Sequence, residues 1–98
     1  MDMLTIIYDT VASMDVAGNE YIVIPVYEND KIYVYRLPSG DAGKVKGLLF
    51  LPVDAELLDI YPMADCENTL QVYEECERLA IQATCGILIK EATRPLDN

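Results

Sequence analysis

Two apolar runs separated by a polar break constrain this chain most. Residues 21–27 read Tyr-Ile-Val-Ile-Pro-Val-Tyr and residues 32–37 read Ile-Tyr-Val-Tyr-Arg-Leu, with Glu28, Asn29, Asp30 and Lys31 between them. β-Branched and aromatic residues at this density, bounded by a turn signal, specify a hairpin. A two-residue turn at Asn29-Asp30 suits the positive φ values of type I′. That turn sets Glu28 opposite Lys31, Val26 opposite Tyr33, Ile24 opposite Tyr35 and Ile22 opposite Leu37. The other face then pairs Tyr27 with Ile32, Pro25 with Val34 and Val23 with Arg36. Both faces come out apolar, whereas a sheet with one wet face alternates. The hairpin is therefore covered on both sides, or it leaves one sticky face for a partner. Pro25 lacks an N–H, which puts its strand at an edge or bulged there.

The remaining elements follow from pattern. Residues 4–8 read as a strand with room to run on toward Met14, and Ala17-Gly18-Asn19-Glu20 is a turn signal. Residues 38–43 are a loop, and residues 44–51 read as another strand ended by Pro52. Residues 54–61 fit a short helix capped by Asp54 or an extended segment, and Pro62 ends either. The best helix spans about residues 66–84. Asp65 or Asn68 can cap it, and its early acids suit the positive end of the helix dipole. Val72, Cys76, Leu79 and Ala83 form its apolar stripe, widened by Tyr73 and Ala80. Gly86 is a natural stop. Residues 87–89 then look like a short last strand, and residues 94–98 like a fraying tail. The expected fold class is α+β: an antiparallel sheet of four to five strands with one main C-terminal helix on one face, in a single domain over residues 1–98.

Charge excludes several functions. The chain holds 17 acids against 7 bases in 98 residues, a formal net charge of −10. Eight of the acids lie between Asp54 and Glu77, where there is no Lys or Arg. Lys31, Arg36, Lys44 and Lys46 gather the positive charge in the middle of the chain. An acidic surface repels phosphate, which argues against binding nucleic acid or an anionic membrane. Residues 1–4 lack the basic region of a signal peptide. The longest apolar run, residues 47–53, is far short of the roughly 20 residues that span a bilayer. A cytoplasmic location is expected.

Catalytic chemistry finds little purchase in these residues. There is no histidine, so Cys–His and Ser–His–Asp sites are excluded. Cys66, Cys76 and Cys85 are spaced by ten and nine, unlike zinc or redox motifs, and read as buried hydrophobes. The segment from Asp54 to Asp65 has the length of a calcium loop but carries Asp59 where glycine is needed. Gly40 to Lys44 is not a phosphate loop. Paired carboxylates read as a solvated helix face. Tyr33 and Tyr35 share a strand face, as on platforms that stack single-stranded bases, but here they suit a core lining with rim hydroxyls. No enzyme activity, cofactor or metal is expected.

The run Gly18-Asn19-Glu20-Tyr21-Ile22-Val23-Ile24-Pro25-Val26 resembles the central strand signature of the YrzB-like family, small acidic bacterial proteins of unknown function. Pro52-Val53-Asp54-Ala55-Glu56-Leu57, Ala64-Asp65-Cys66-Glu67 and Val72-Tyr73-Glu74-Glu75 extend the likeness over residues 18–78. The chain departs from the family in being less acidic over residues 31–47 and in adding residues 86–98. The resemblance implies a cytoplasmic bacterial protein without established activity.

The residues thus point to a non-enzymatic protein-interaction or regulatory module. Its protein partner, a basic one if the acids attract it, would meet Tyr21, Val23, Tyr27, Val34 and Arg36 on the hairpin, or Glu67, Glu74 and Glu75 at the helix. An open sheet edge is a third place for contact. Self-association through the hairpin, giving a homo-oligomer, is one way to cover its second face. The alternative is a phage-type inhibitor whose carboxylates imitate nucleic-acid phosphates. It requires Glu67, Glu74, Glu75 and Glu77 in one continuous band.

Overall fold

The computed structural model describes residues 3–63 and 68–93, with side chains for residues 5–8, 10–63 and 68–85. Seven strands precede one helix: β1 (Met3–Ile7), β2 (Ala12–Val16), β3 (Asn19–Val26), β4 (Lys31–Pro38), β5 (Gly43–Val45), β6 (Leu48–Pro52), β7 (Glu56–Pro62) and α1 (Thr69–Thr93). The fold is α+β, with two antiparallel sheets. The larger has the order β2-β3-β4-β7 and the smaller β1-β6-β5.

Strand β3 explains its own composition. Val23, with Ile32 and Val34 of β4 and Ala12 of β2, packs against Val72, Cys76, Leu79 and Ala80 of α1. Ile22 and Ile24, with Leu37, pack against Leu49 and Leu51 of β6. Successive residues of one strand point to opposite faces. Helix and small sheet therefore sandwich the large sheet, and both faces of the hairpin are covered from within the chain. Fully burying each such aliphatic side chain contributes roughly 1.5–3 kcal/mol.

The β3–β4 register differs from expectation by two residues. Val26 pairs with Lys31, Ile24 with Tyr33, Ile22 with Tyr35 and Tyr21 with Arg36. The connection is a four-residue loop. Tyr27–Asn29 form a turn of 3-10 helix, and Asp30 closes it in the left-handed region at φ 52°. Glu28 thus sits in the turn rather than opposite Lys31. An even slip keeps every side chain on its face, whereas a slip of one would have inverted them all. Pro25 is locally at an edge, because β2 pairs no further than Val23.

Type I′ turns occur elsewhere. Ala17 and Gly18 (φ 54° and 83°) join β2 to β3, and Lys46 and Gly47 (φ 48° and 81°) join β5 to β6. The second turn divides the strand expected over residues 44–51 into two. The strand expected to run from residue 4 toward Met14 breaks at the 3-10 turn Tyr8–Thr10, where the chain passes from one sheet to the other. Of residues 54–61, Asp54 closes a turn in which the Ala55 N–H donates to the Pro52 carbonyl at 3.1 Å, and the strand β7 follows from Glu56, with a bulge opposite Val34/Tyr35.

Asn68 caps α1, its Oδ1 accepting from the Gln71 N–H at 2.9 Å. Asp65, Cys66 and Glu67 lie outside the described residues, and the first turn itself holds no acid. The helix does not stop at Gly86, and residues 87–89 are helical rather than a strand. Glycine costs only about 1 kcal/mol relative to alanine inside a helix, too little to end one that continues into good helix formers.

Candidate protein-interaction site

Three of the residues expected at a partner surface are buried. Tyr21, Val23 and Val34 are 2%, 0% and 1% exposed; Val23 and Val34 pack against α1, and Tyr21 lies between Met14 of β2 and Arg36 of β4. Tyr27 is exposed in the 3-10 turn. Arg36 is half-buried on β4 and reaches across to β7, where its Nε donates to Glu56 Oε1 at 3.1 Å. This hydrogen bond raises the Arg36 pKa further. Glu74 is exposed on α1. Glu75 accepts from Arg78 Nε at 3.0 Å, and that bond lowers its carboxyl pKa. Glu67 lies outside the described residues.

Ion pairing divides the acids. Among the described residues, Arg36–Glu56, Lys44–Glu20 and Arg78–Glu75 form ion pairs. The second is structural. Glu20 is only 6% exposed, and Lys44 Nζ donates to it at 2.8 Å and to Ser13 Oγ at 3.2 Å, fastening the small sheet to the large one. Glu74 and Glu77, three positions apart, share one flank of α1, while Glu75 lies about 100° round the axis from Glu74. The described helix acids therefore fall on two flanks, not in one band.

Leu70, Glu74, Glu77 and Ile81 recur at helical spacing and form a single exposed ridge. Leu70 is 65% and Ile81 57% exposed. Its Glu77 and Ile81 lie beside β2, the terminal strand of the large sheet. Between them lies a cavity of about 240 Å³, lined by Ala12, Ser13, Met14, Tyr73, Glu77, Ala80 and Ile81. Its floor is fixed. Ala80 is buried, and the Thr84 hydroxyl lies 3.4 Å from Met14 Sδ while donating to the Ala80 carbonyl at 3.0 Å. Sequence reasoning passed over this groove and read Tyr73 as core. A signal was present: Ile81 and Leu70 are apolar residues off the buried stripe of Val72, Cys76, Leu79 and Ala83.

A second cavity of about 280 Å³ is lined by Arg36 and its partner Glu56, with Asp41 and Asp54. The described residues bring no three Cys, Asp or Glu side chains together in a metal-binding arrangement. Tyr33 and Tyr35 stack with centroids 6.3 Å apart. Tyr35 packs onto the core beneath the small sheet, and burial first, then Tyr33, raises its pKa. The Tyr33 hydroxyl accepts from Asn29 Nδ2 at 3.2 Å.

The outer face of the small sheet is apolar. Ile7 pairs with Leu48, and Leu48 with Val45, which places these three exposed side chains in one row across the sheet. Its strands contain no acid. Among the described residues no helix is long and apolar enough to cross a membrane. No protein-family model matches this chain, and neither a curated protein nor a solved structure matches it.

Proposed function

We propose that this chain is a small non-enzymatic interaction or regulatory module of the bacterial cytoplasm, and that it recognises a protein through a basic segment. The observation that carries the reading is a flank of α1 whose acids form no ion pair among the described residues. Glu74 and Glu77 stand there exposed between Leu70 and Ile81, and the ridge carries no base, while Glu20, Glu56 and Glu75 are each tied to a cation. Acids with apolar neighbours give a basic partner both attraction and area to bury. The bacterial setting rests on the YrzB-like resemblance of residues 18–78.

Capture from a cell extract on the immobilised chain, beside a Glu74→Gln/Glu77→Gln variant, tests this. A partner should be held by the parent chain, lost from the variant, and released as salt shortens the Debye length from about 8 Å toward 3 Å. Equal capture by both chains would overturn the reading.

Self-association is the second reading, moved from the hairpin to the outer face of the small sheet. The acid-free row of Ile7, Leu48 and Val45 favours it, since two such faces meet without opposing carboxylates. Sedimentation at rising concentration decides: Ile7→Lys should abolish any dimer, and a parent chain that stays monomeric would end the idea.

A further inference from the structure

We infer that the groove between the free edge of β2 and α1 takes an extended, basic segment of the partner as an added strand. This rests on the interaction reading and gives it a location and a binding mode.

Four features converge. Strand β2 ends the large sheet and, among the described residues, pairs with β3 alone, so its other edge offers backbone groups over Ala12–Val16. Such an edge pairs with an incoming strand unless the fold protects it. The groove beside it supplies specificity, because alternate residues of an added strand, roughly 7 Å apart, face the same side. On the helix side one of them enters the 240 Å³ cavity between Met14, Tyr73, Ala80 and Ile81, a space suited to one leucine-sized side chain. The residues two positions away then lie along the ridge that carries Glu74 and Glu77. Basic side chains answer those carboxylates, and acidic ones are repelled. The opposite edge, β7, is defended by contrast. It is bulged, and its Asp59 side chain accepts from the Ile60 N–H at 2.9 Å.

The probe is a fluorescent heptapeptide, Thr-Lys-Thr-Leu-Thr-Lys-Thr, which places Lys, Leu and Lys on one face. Two further versions carry N-methyl groups on alternate amides, one set on each edge of the strand. Anisotropy should show binding of the parent peptide and of one methylated version, with loss of the other by at least tenfold. The Glu77→Lys chain, whose change is at an exposed position, should bind at least tenfold more weakly. A peptide with Glu in place of Lys should not bind. Equal binding of both methylated versions, or no effect of Glu77→Lys, would overturn strand addition. Failure of the peptide while the extract partner is still held and lost from the Glu74→Gln/Glu77→Gln chain would overturn the groove and leave the interaction reading standing. A parent dimer that excludes the peptide would assign the groove to a second copy and equally overturn the proposal.

Discussion

The two edges of the large sheet, β2 and β7, are managed in opposite ways. Strand β7 spans Glu56–Pro62 and exposes Leu57, Leu58 and Ile60. Length and apolarity make such an edge prone to unwanted pairing. It is blunted by the bulge, by Asp59 folded back on the Ile60 amide, and by Pro62 at its end. Strand β2 is short and carries Asp15, but among the described residues it has neither bulge nor proline, and it lies beside a helix that shapes a groove along it. The difference is the ground of the strand-addition proposal: chain-to-chain pairing is discouraged along β7, where only surface is available, and the groove beside β2 is where the proposal puts the partner's side chains.

The largest effect should come from the core between α1 and the large sheet. Leu79 of α1 is 2% exposed there, and Leu79→Ala should cost about 2–5 kcal/mol in urea unfolding, whereas Leu57→Ala on β7 should cost less than about 1 kcal/mol. Equal losses would mean that β7 is as integral as the helix side, and the contrast would fail. Next is the clamp between sheets. Lys44→Met strands the Glu20 carboxylate and should cost about 1–2 kcal/mol, reduced because Lys44 remains a third exposed. An unchanged urea midpoint would remove it as the tie beside β2.

The protection of β7 is tested by Asp59→Val, which removes the carboxylate that holds the Ile60 amide. Stability should fall by about 1 kcal/mol, and light scattering should show association that grows with concentration. A monodisperse variant would show that Asp59 does not guard that edge.

Much of this was legible in the residues, and what was not has identifiable causes. The two apolar faces of the hairpin are legible, because an even slip of register leaves each side chain on its own face. The register itself was not legible, since nothing in Asn29-Asp30 says that Tyr27–Asn29 will coil into a 3-10 turn. The stripe of Val72, Cys76, Leu79 and Ala83 marked the buried side of α1, but one glycine was given too much weight as its end. The exposure of Glu74 on α1 follows from charge alone. Tyr21, Val23 and Val34 were assigned to a partner because covering elements far along the chain cannot be seen locally. The free edge of β2 was invisible for the same reason: which strand ends a sheet is set by strand order, not by its own sequence.

The smallest effect concerns the other flank of α1. Arg78 lowers the Glu75 carboxyl pKa by hydrogen bonding. The added stability is present above the unfolded carboxylate pKa of about 4.3 and is lost as pH falls through the lower folded value. Glu75→Gln should remove this pH-dependent increment, read as a difference in thermal midpoint between pH 6 and pH 3, without changing peptide affinity at neutral pH. A change in affinity would put the binding surface on both flanks.

The most direct test is to titrate the isotopically labelled chain with the unmethylated heptapeptide and follow its backbone amides by NMR. The structure predicts shifts confined to Ala12–Val16 and residues 73–81, with residues 56–61 unmoved. Shifts centred on β7, or spread evenly over the acidic surface, would contradict the account.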